Sequence, residues 1–88
     1  MKYVLFYESA PGVRENAPRH AAAHMARWAE FRANGTLLMI GPFAIPEEGA
    51  LAIFTTREAA EEFAAADPFV LEGVVSKWYV RDWNEAIA

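Results

Sequence analysis

Residues 20–43 read HAAAHMARWAEFRANGTLLMIGPF, and the change of rhythm inside this stretch decides the fold. Up to Asn34 the large side chains recur every three or four residues. After Gly35 they become continuous and stop at Gly41-Pro42. The pattern predicts a helix that leads straight into a strand. Residues four apart on a helix lie one turn above each other, so His20, His24, Trp28 and Phe31 share a face, with Ala21 and Met25 beside them. His24 falls near the middle of that apolar stripe and is expected to point into the protein. A polar ring among aromatics must be hydrogen-bonded or put to use.

Working outward, the helix is expected over residues 17–34. Asn16 is its candidate N-cap, Pro18 lies in its first turn, and Gly35 takes the left-handed turn that ends it. Residues 9–15 contain Pro11 and Gly12 and read as a loop. Before them, KYVLFYE (2–8) reads as a strand with Tyr3, Leu5 and Tyr7 on one face and Val4 and Phe6 on the other. Both faces are apolar, which fits a central strand covered on both sides. Downstream come a second strand over 36–40, a loop over 44–49, and a third strand over 51–55. The run Thr55-Thr56-Arg57-Glu58 fits a capping box. The helix it opens runs to about 66, with Ala59, Ala60, Phe63 and Ala64 inside. Asp67-Pro68 stops that helix. A short turn over 69–73, a last strand over 74–81 and a tail from Trp83 complete the chain.

The element order is βαββαβ, for which an α+β, ferredoxin-like split βαβ arrangement is the common solution. It sets the third strand between the first and second and both helices on one face. The other face, with Val4, Phe6 and either Leu51/Ile53 or Ala52/Phe54, is left bare and favours a homodimer. The totals agree. Eighty-eight residues make a single domain, 1–88, with 55% apolar and 14% aromatic content, a heavy apolar load for so small an interior. The net charge of −4 speaks against a nucleic-acid surface. Cysteine is absent, which excludes disulfides, thiolate nucleophiles and zinc–cysteine sites. No run approaches a membrane span, and the opening residues do not resemble a signal peptide, so a cytoplasmic protein is expected.

In this topology Tyr7, the early turns of the first helix, Gly41-Pro42-Phe43 and Asp67-Pro68-Phe69 gather at one end of the sheet. Asp67 and His24 would be neighbours there. A carboxylate beside an imidazole fixes its tautomer and raises its basicity, which makes a general base.

The run HMARWAEFRANGTLLMIGP, followed by AAADPFVLEGVV and a tryptophan-containing last strand, resembles the YCII-related (YciI-like) family across nearly the whole chain. The resemblance implies a ferredoxin-like fold assembled as a dimeric α+β barrel, with His24 and Asp67 as the suspected active-site pair. One branch of the family dehydrochlorinates an aromatic ring, a precedent for acid–base chemistry. The loop over 44–49 is shorter here than in many relatives, which bears on pocket shape.

Each candidate also has a plainer reading. His24 is either a general acid or base or a core histidine bonded to a carbonyl. Asp67 either orients it or simply ends a helix, and the two roles are compatible. His20 lies one turn before His24, but without a further ligand no metal is expected, and it would line the pocket mouth instead. Arg19 and Arg27 either hold a ligand carboxylate or are solvated and paired with glutamates. Trp78 and Trp83 read as core or interface. No glycine pattern cradles phosphate. The favoured reading is a cofactor-free enzyme acting on a small organic molecule by lyase, isomerase or hydrolase chemistry. His24 and Asp67 would be catalytic, and Tyr7, His20, Trp28, Phe43 and Phe69 would line the cavity. The alternative is a non-catalytic ligand-binding or structural dimer. Neither reading calls for nucleic acid or a membrane.

Overall fold

The structure, a computed structural model, describes residues 1–88. Its elements are β1 (Lys2–Ser9), α1 (Val13–Ala33), β2 (Leu37–Pro42), a 3-10 turn (Pro46–Glu48), β3 (Ala50–Phe54), α2 (Arg57–Ala66), a single helical turn α3 (Pro68–Leu71) and β4 (Val75–Trp83). The four strands stand in the order β2-β3-β1-β4 with every neighbouring pair antiparallel. This is the expected ferredoxin-like α+β arrangement, with β1 central. No helix is long and apolar enough to cross a membrane.

Register settles which alternating set faces the helices. Val4 pairs with Ile53, Leu5 with Ala52 and Phe6 with Leu51. Leu5, Tyr7, Ala52 and Phe54 belong to the core cluster under the helices, which leaves Val4, Phe6, Leu51 and Ile53 on the opposite face. The core is knit by aromatic rings. Phe31 meets Phe63 edge-to-face at 5.3 Å and Phe54 at 6.3 Å, a geometry that the ring quadrupoles favour. Ala60 and Ala64 are wholly buried, and such small side chains let α2 lie close upon the sheet.

Several boundaries differ from the sequence expectation, each for a local reason. Helix α1 starts a turn early, at Val13, because Val13 is itself core and Gly12, left-handed at φ 81°, turns the chain into it. The Gly12 carbonyl accepts from the N–H groups of Glu15 and Asn16. Pro18 therefore lies inside the helix, and the Asn16 amide is free to donate to the Glu72 carbonyl at 3.4 Å. The α2 cap sits one residue later than the capping-box reading. Thr56 accepts from the Ala59 N–H at 3.1 Å, so the third position is alanine and no glutamate reaches back. Beyond Asp67 the chain makes a helical turn rather than a plain turn. Strand β2 continues through Gly41-Pro42, and Pro42 pairs with Ala50 on an edge strand, where a missing N–H is tolerated. Strand β4 runs on to Trp83. Glu85 then pins the tail against the chain start, 3.0 Å from the N-terminal ammonium and 2.9 Å from Lys2 Nζ, contacts that hold its carboxyl down at about 2.

Candidate active site

The helix stop Asp67 is the centre of the site. Its backbone serves as the C-cap of α2 and the N-cap of α3, and its side chain is completely buried. An unpartnered carboxylate in that place would be costly, and here three donors engage both of its oxygens. The Tyr7 hydroxyl donates to Oδ2 at 2.6 Å. His24 Nδ1 lies 2.8 Å from Oδ1 and 3.0 Å from Oδ2. The Phe69 N–H donates to Oδ1 at 3.3 Å.

This arrangement assigns the histidine nitrogens. The carboxylate can only accept, so Nδ1 carries the proton that it receives and Nε2 is the free nitrogen. The ring is stacked on Phe69 at 3.9 Å and nearly parallel, and it meets the edge of Phe63 at 6.1 Å. The stacking and the contact of Nδ1 with both Asp67 oxygens fix the orientation of the ring. No buried polar side-chain atom lacks a partner, so Nε2, which has none, is reachable from outside.

What reaches it is a cleft of about 980 Å³ between α1 and the β2–β3 edge of the sheet. Its lining is mostly apolar and includes Tyr7, Trp28 and Phe69 alongside His24. Three of the five expected lining residues are therefore present. His20, one turn back along α1, is half-buried away from the cleft, and Phe43 is exposed and does not line it. Tyr7 is present in a different role, since its hydroxyl is spent on Asp67. Two lining residues that the sequence reading passed over are Arg14 and Arg32. Arg32 was detectable, because it continues the one-turn spacing of His24 and Trp28.

Arg27 is not among the residues lining the cleft and pairs with no carboxylate. It donates to the carbonyls of Phe63, at 3.1 Å, and Glu62, at 2.8 Å, in the last turns of α2. A cation there answers the negative end of the helix and clamps α1 to α2 beside Asp67.

Burial, the charge of Asp67 and the hydrogen bond to it together push the Tyr7 phenol well above its ordinary value of about 10. Tyr7 is thus a proton donor locked onto Asp67 and does not ionise to act as a base. A raised folded value means that the folded chain retains a proton the unfolded chain loses above pH 10. The stability Tyr7 confers is full below pH 10 and falls as pH rises beyond it, by about 1.4 kcal/mol per pH unit. Urea unfolding between pH 8 and 11 should show this slope as the difference between wild type and Tyr7→Phe. Parallel curves for the two would mean that the Tyr7–Asp67 bond is not made in solution.

The chain matches the model of the YCII-related domain over residues 1–84. It is 30% identical to an uncharacterized protein of Haemophilus influenzae (strain ATCC 51907 / DSM 11121 / KW20 / Rd), covering 97% of this chain and 98% of that one. Among solved structures it is similar to 5-chloro-2-hydroxyhydroquinone dehydrochlorinase (TftG) from Burkholderia phenoliruptrix AC1100, in complex with 2,5-dihydroxybenzoquinone. The TM-score is 0.79 at 20% identity, over 98% of this chain and 96% of that one. It is also similar to the structured domain of Caenorhabditis elegans BMY-1, with a TM-score of 0.54 at 14% identity over 97% and 98% of the two chains. At such identities these two likenesses speak for the fold.

Proposed function

The chain belongs to the YCII-related family, and from that premise we propose that the cleft is the active site of a cofactor-independent enzyme that moves protons on a small organic molecule. The observation that carries the reading is the buried Asp67 carboxylate, shared by Tyr7 and His24 beneath an apolar cleft. His24 Nε2 takes a proton from the substrate. Asp67 stabilises the imidazolium that results, and Tyr7 keeps Asp67 from turning away. In an elimination, the electron pair of the broken C–H bond becomes the new double bond, and the leaving group departs with its own bonding pair. Of lyase, isomerase and hydrolase chemistry we favour the lyase type, because the structurally similar TftG is by name a dehydrochlorinase. The apolar walls exclude water and strengthen the electrostatics of the pair.

The same reading includes assembly. The sheet face bearing Val4, Phe6, Leu51 and Ile53 would pack against its copy in a homodimer, giving the dimeric α+β barrel.

The test is turnover across a panel of hydroxylated and halogenated aromatic compounds, followed by product absorbance and halide release. His24→Ala should lower kcat by about 10²–10⁴-fold. Asp67→Asn should also damage it, and the double variant should cost little more than the worse single one, because the residues act as a unit. Full turnover in His24→Ala would overturn the acid–base reading. A ligand that binds the cleft and is always recovered unchanged would instead make this a ligand-binding dimer.

A further inference from the structure

The wall that α1 presents to the cleft is apolar along its length and cationic at both ends. Arg14, Ala17, Ala21, His24, Trp28 and Arg32 succeed one another down this face. At 1.5 Å per residue, Arg14 lies about 15 Å before His24 and Arg32 about 12 Å after it. No carboxylate side chain is among the residues that line the cleft. This is an inversion of the chain as a whole, which carries twelve acidic side chains against eight basic ones. The cations of the cleft are therefore a local feature and not the by-product of a basic protein.

The two arginines are not equivalent. Arg14 is already engaged, its Nε 2.6 Å and its Nη2 3.0 Å from the two carboxylate oxygens of Glu47. Arg32 takes part in none of the ion pairs of the chain. It presents an open guanidinium fork, the geometry that receives a carboxylate through two parallel hydrogen bonds. Between it and His24 stands Trp28, one turn from each.

Resting on the cleft as the ligand site, we infer that its substrate class is an organic anion with an apolar, planar body. The carboxylate, or an equivalent anionic group, binds Arg32. The body lies along Trp28, and the reacting atom reaches His24 Nε2. The distance between the ends, on the order of 10 Å, suits an aryl or unsaturated acid of moderate length better than a compact one.

The ordinary role of such an arginine is to lay its stem on the apolar wall while its head stays in water. A matched pair of ligands separates the two roles. Binding of 4-phenylbutanoate and of its neutral isostere 4-phenylbutanamide is measured by calorimetry, with the Trp28 indole and His24 ring signals followed by NMR. The acid should bind roughly ten-fold tighter or more, as a charged hydrogen-bonded pair warrants, and this advantage should shrink with added salt. Arg32→Gln should abolish the advantage while leaving the amide as it was, and Arg14→Gln should retain it. Equal affinities, no binding of either compound, or an advantage that survives Arg32→Gln would overturn the inference. The two proposals fail separately. Acid preference lost while turnover still depends on His24 removes the anion site alone. Acid preference kept while turnover ignores His24 removes the acid–base reading alone.

Discussion

Gly49→Ala should unfold the protein more readily by about 3 kcal/mol or more, a fall in Tm of roughly 12 °C or more for a chain of this size. Gly49 precedes β3 at φ 107°, a backbone conformation that L side chains rarely adopt. A Cβ there would stand 1.8 Å from the Tyr7 carbonyl oxygen, with β1 backbone behind it. Neither strand can retreat, since Ala50 is paired with Tyr7 in the sheet. Gly35→Ala is the control. It too has a positive φ, 85°, but nothing lies within 4 Å of its would-be Cβ, so only the backbone preference is lost, about 1–2 kcal/mol. The difference between the two melts measures the close approach together with the harsher backbone conformation of Gly49, whose ψ of −148° falls where essentially only glycine is found. Equal Tm losses would show that the loop over 44–49 simply moves aside.

The second large effect concerns the face of the sheet that no helix covers. Phe6 lies there, stacked on Tyr79 at 5.1 Å, among Val4, Leu51 and Ile53. If two copies pack through this face, a two-fold axis places Phe6→Glu in the interface twice. Burying two unpaired carboxylates should weaken the dimer by three orders of magnitude or more. Analytical ultracentrifugation should then find monomer at micromolar concentration where the wild type is dimeric. Ala29→Glu, on the exposed side of α1, should leave assembly unchanged. A monomeric wild type, or a Phe6→Glu dimer of undiminished strength, would move the interface elsewhere.

The fold was readable because its signals are local. Alternation on both faces of 2–8 marked the central strand, and Asn34-Gly35 and Asp67-Pro68 closed the two helices. The meeting of His24 with Asp67 followed from topology once those stops were placed. What escaped the sequence depends on contacts between distant segments. Val13 draws α1 a turn forward only because the core receives it. The Tyr7 hydroxyl could have faced a cavity or a neighbour, and only the depth of Asp67 decides for the neighbour. Arg27 offered a ligand contact or a glutamate pair, and its true partners, two carbonyls at the end of α2, are backbone groups that no side-chain pattern announces. His20 has the right spacing for the His24 face, yet the lining face of α1 continues through Ala21, Ala17 and Arg14, and the roughly 40° by which a four-residue step exceeds a full turn leaves His20 to one side of it. Phe43 follows the right strand but leaves it just beyond the wall.

The cleft has two walls of different origin. Tyr7, His24 and Asp67 come from β1, α1 and the α2–α3 junction. The facing wall is drawn largely from residues 37–51, which comprise β2, cross the loop and begin β3. One wall, α1, thus carries the reactive His24 together with Trp28 and Arg32, while the facing wall gives shape alone. Lengthening or rewriting the loop over 44–49 alters what fits without disturbing the proton-moving apparatus, so long as a glycine remains where the loop brushes Tyr7. Such a division lets one ancestral chemistry be handed to many molecules by exchanging a single short segment, and it marks residues 37–48 as the place to begin a library that seeks new substrates on this scaffold.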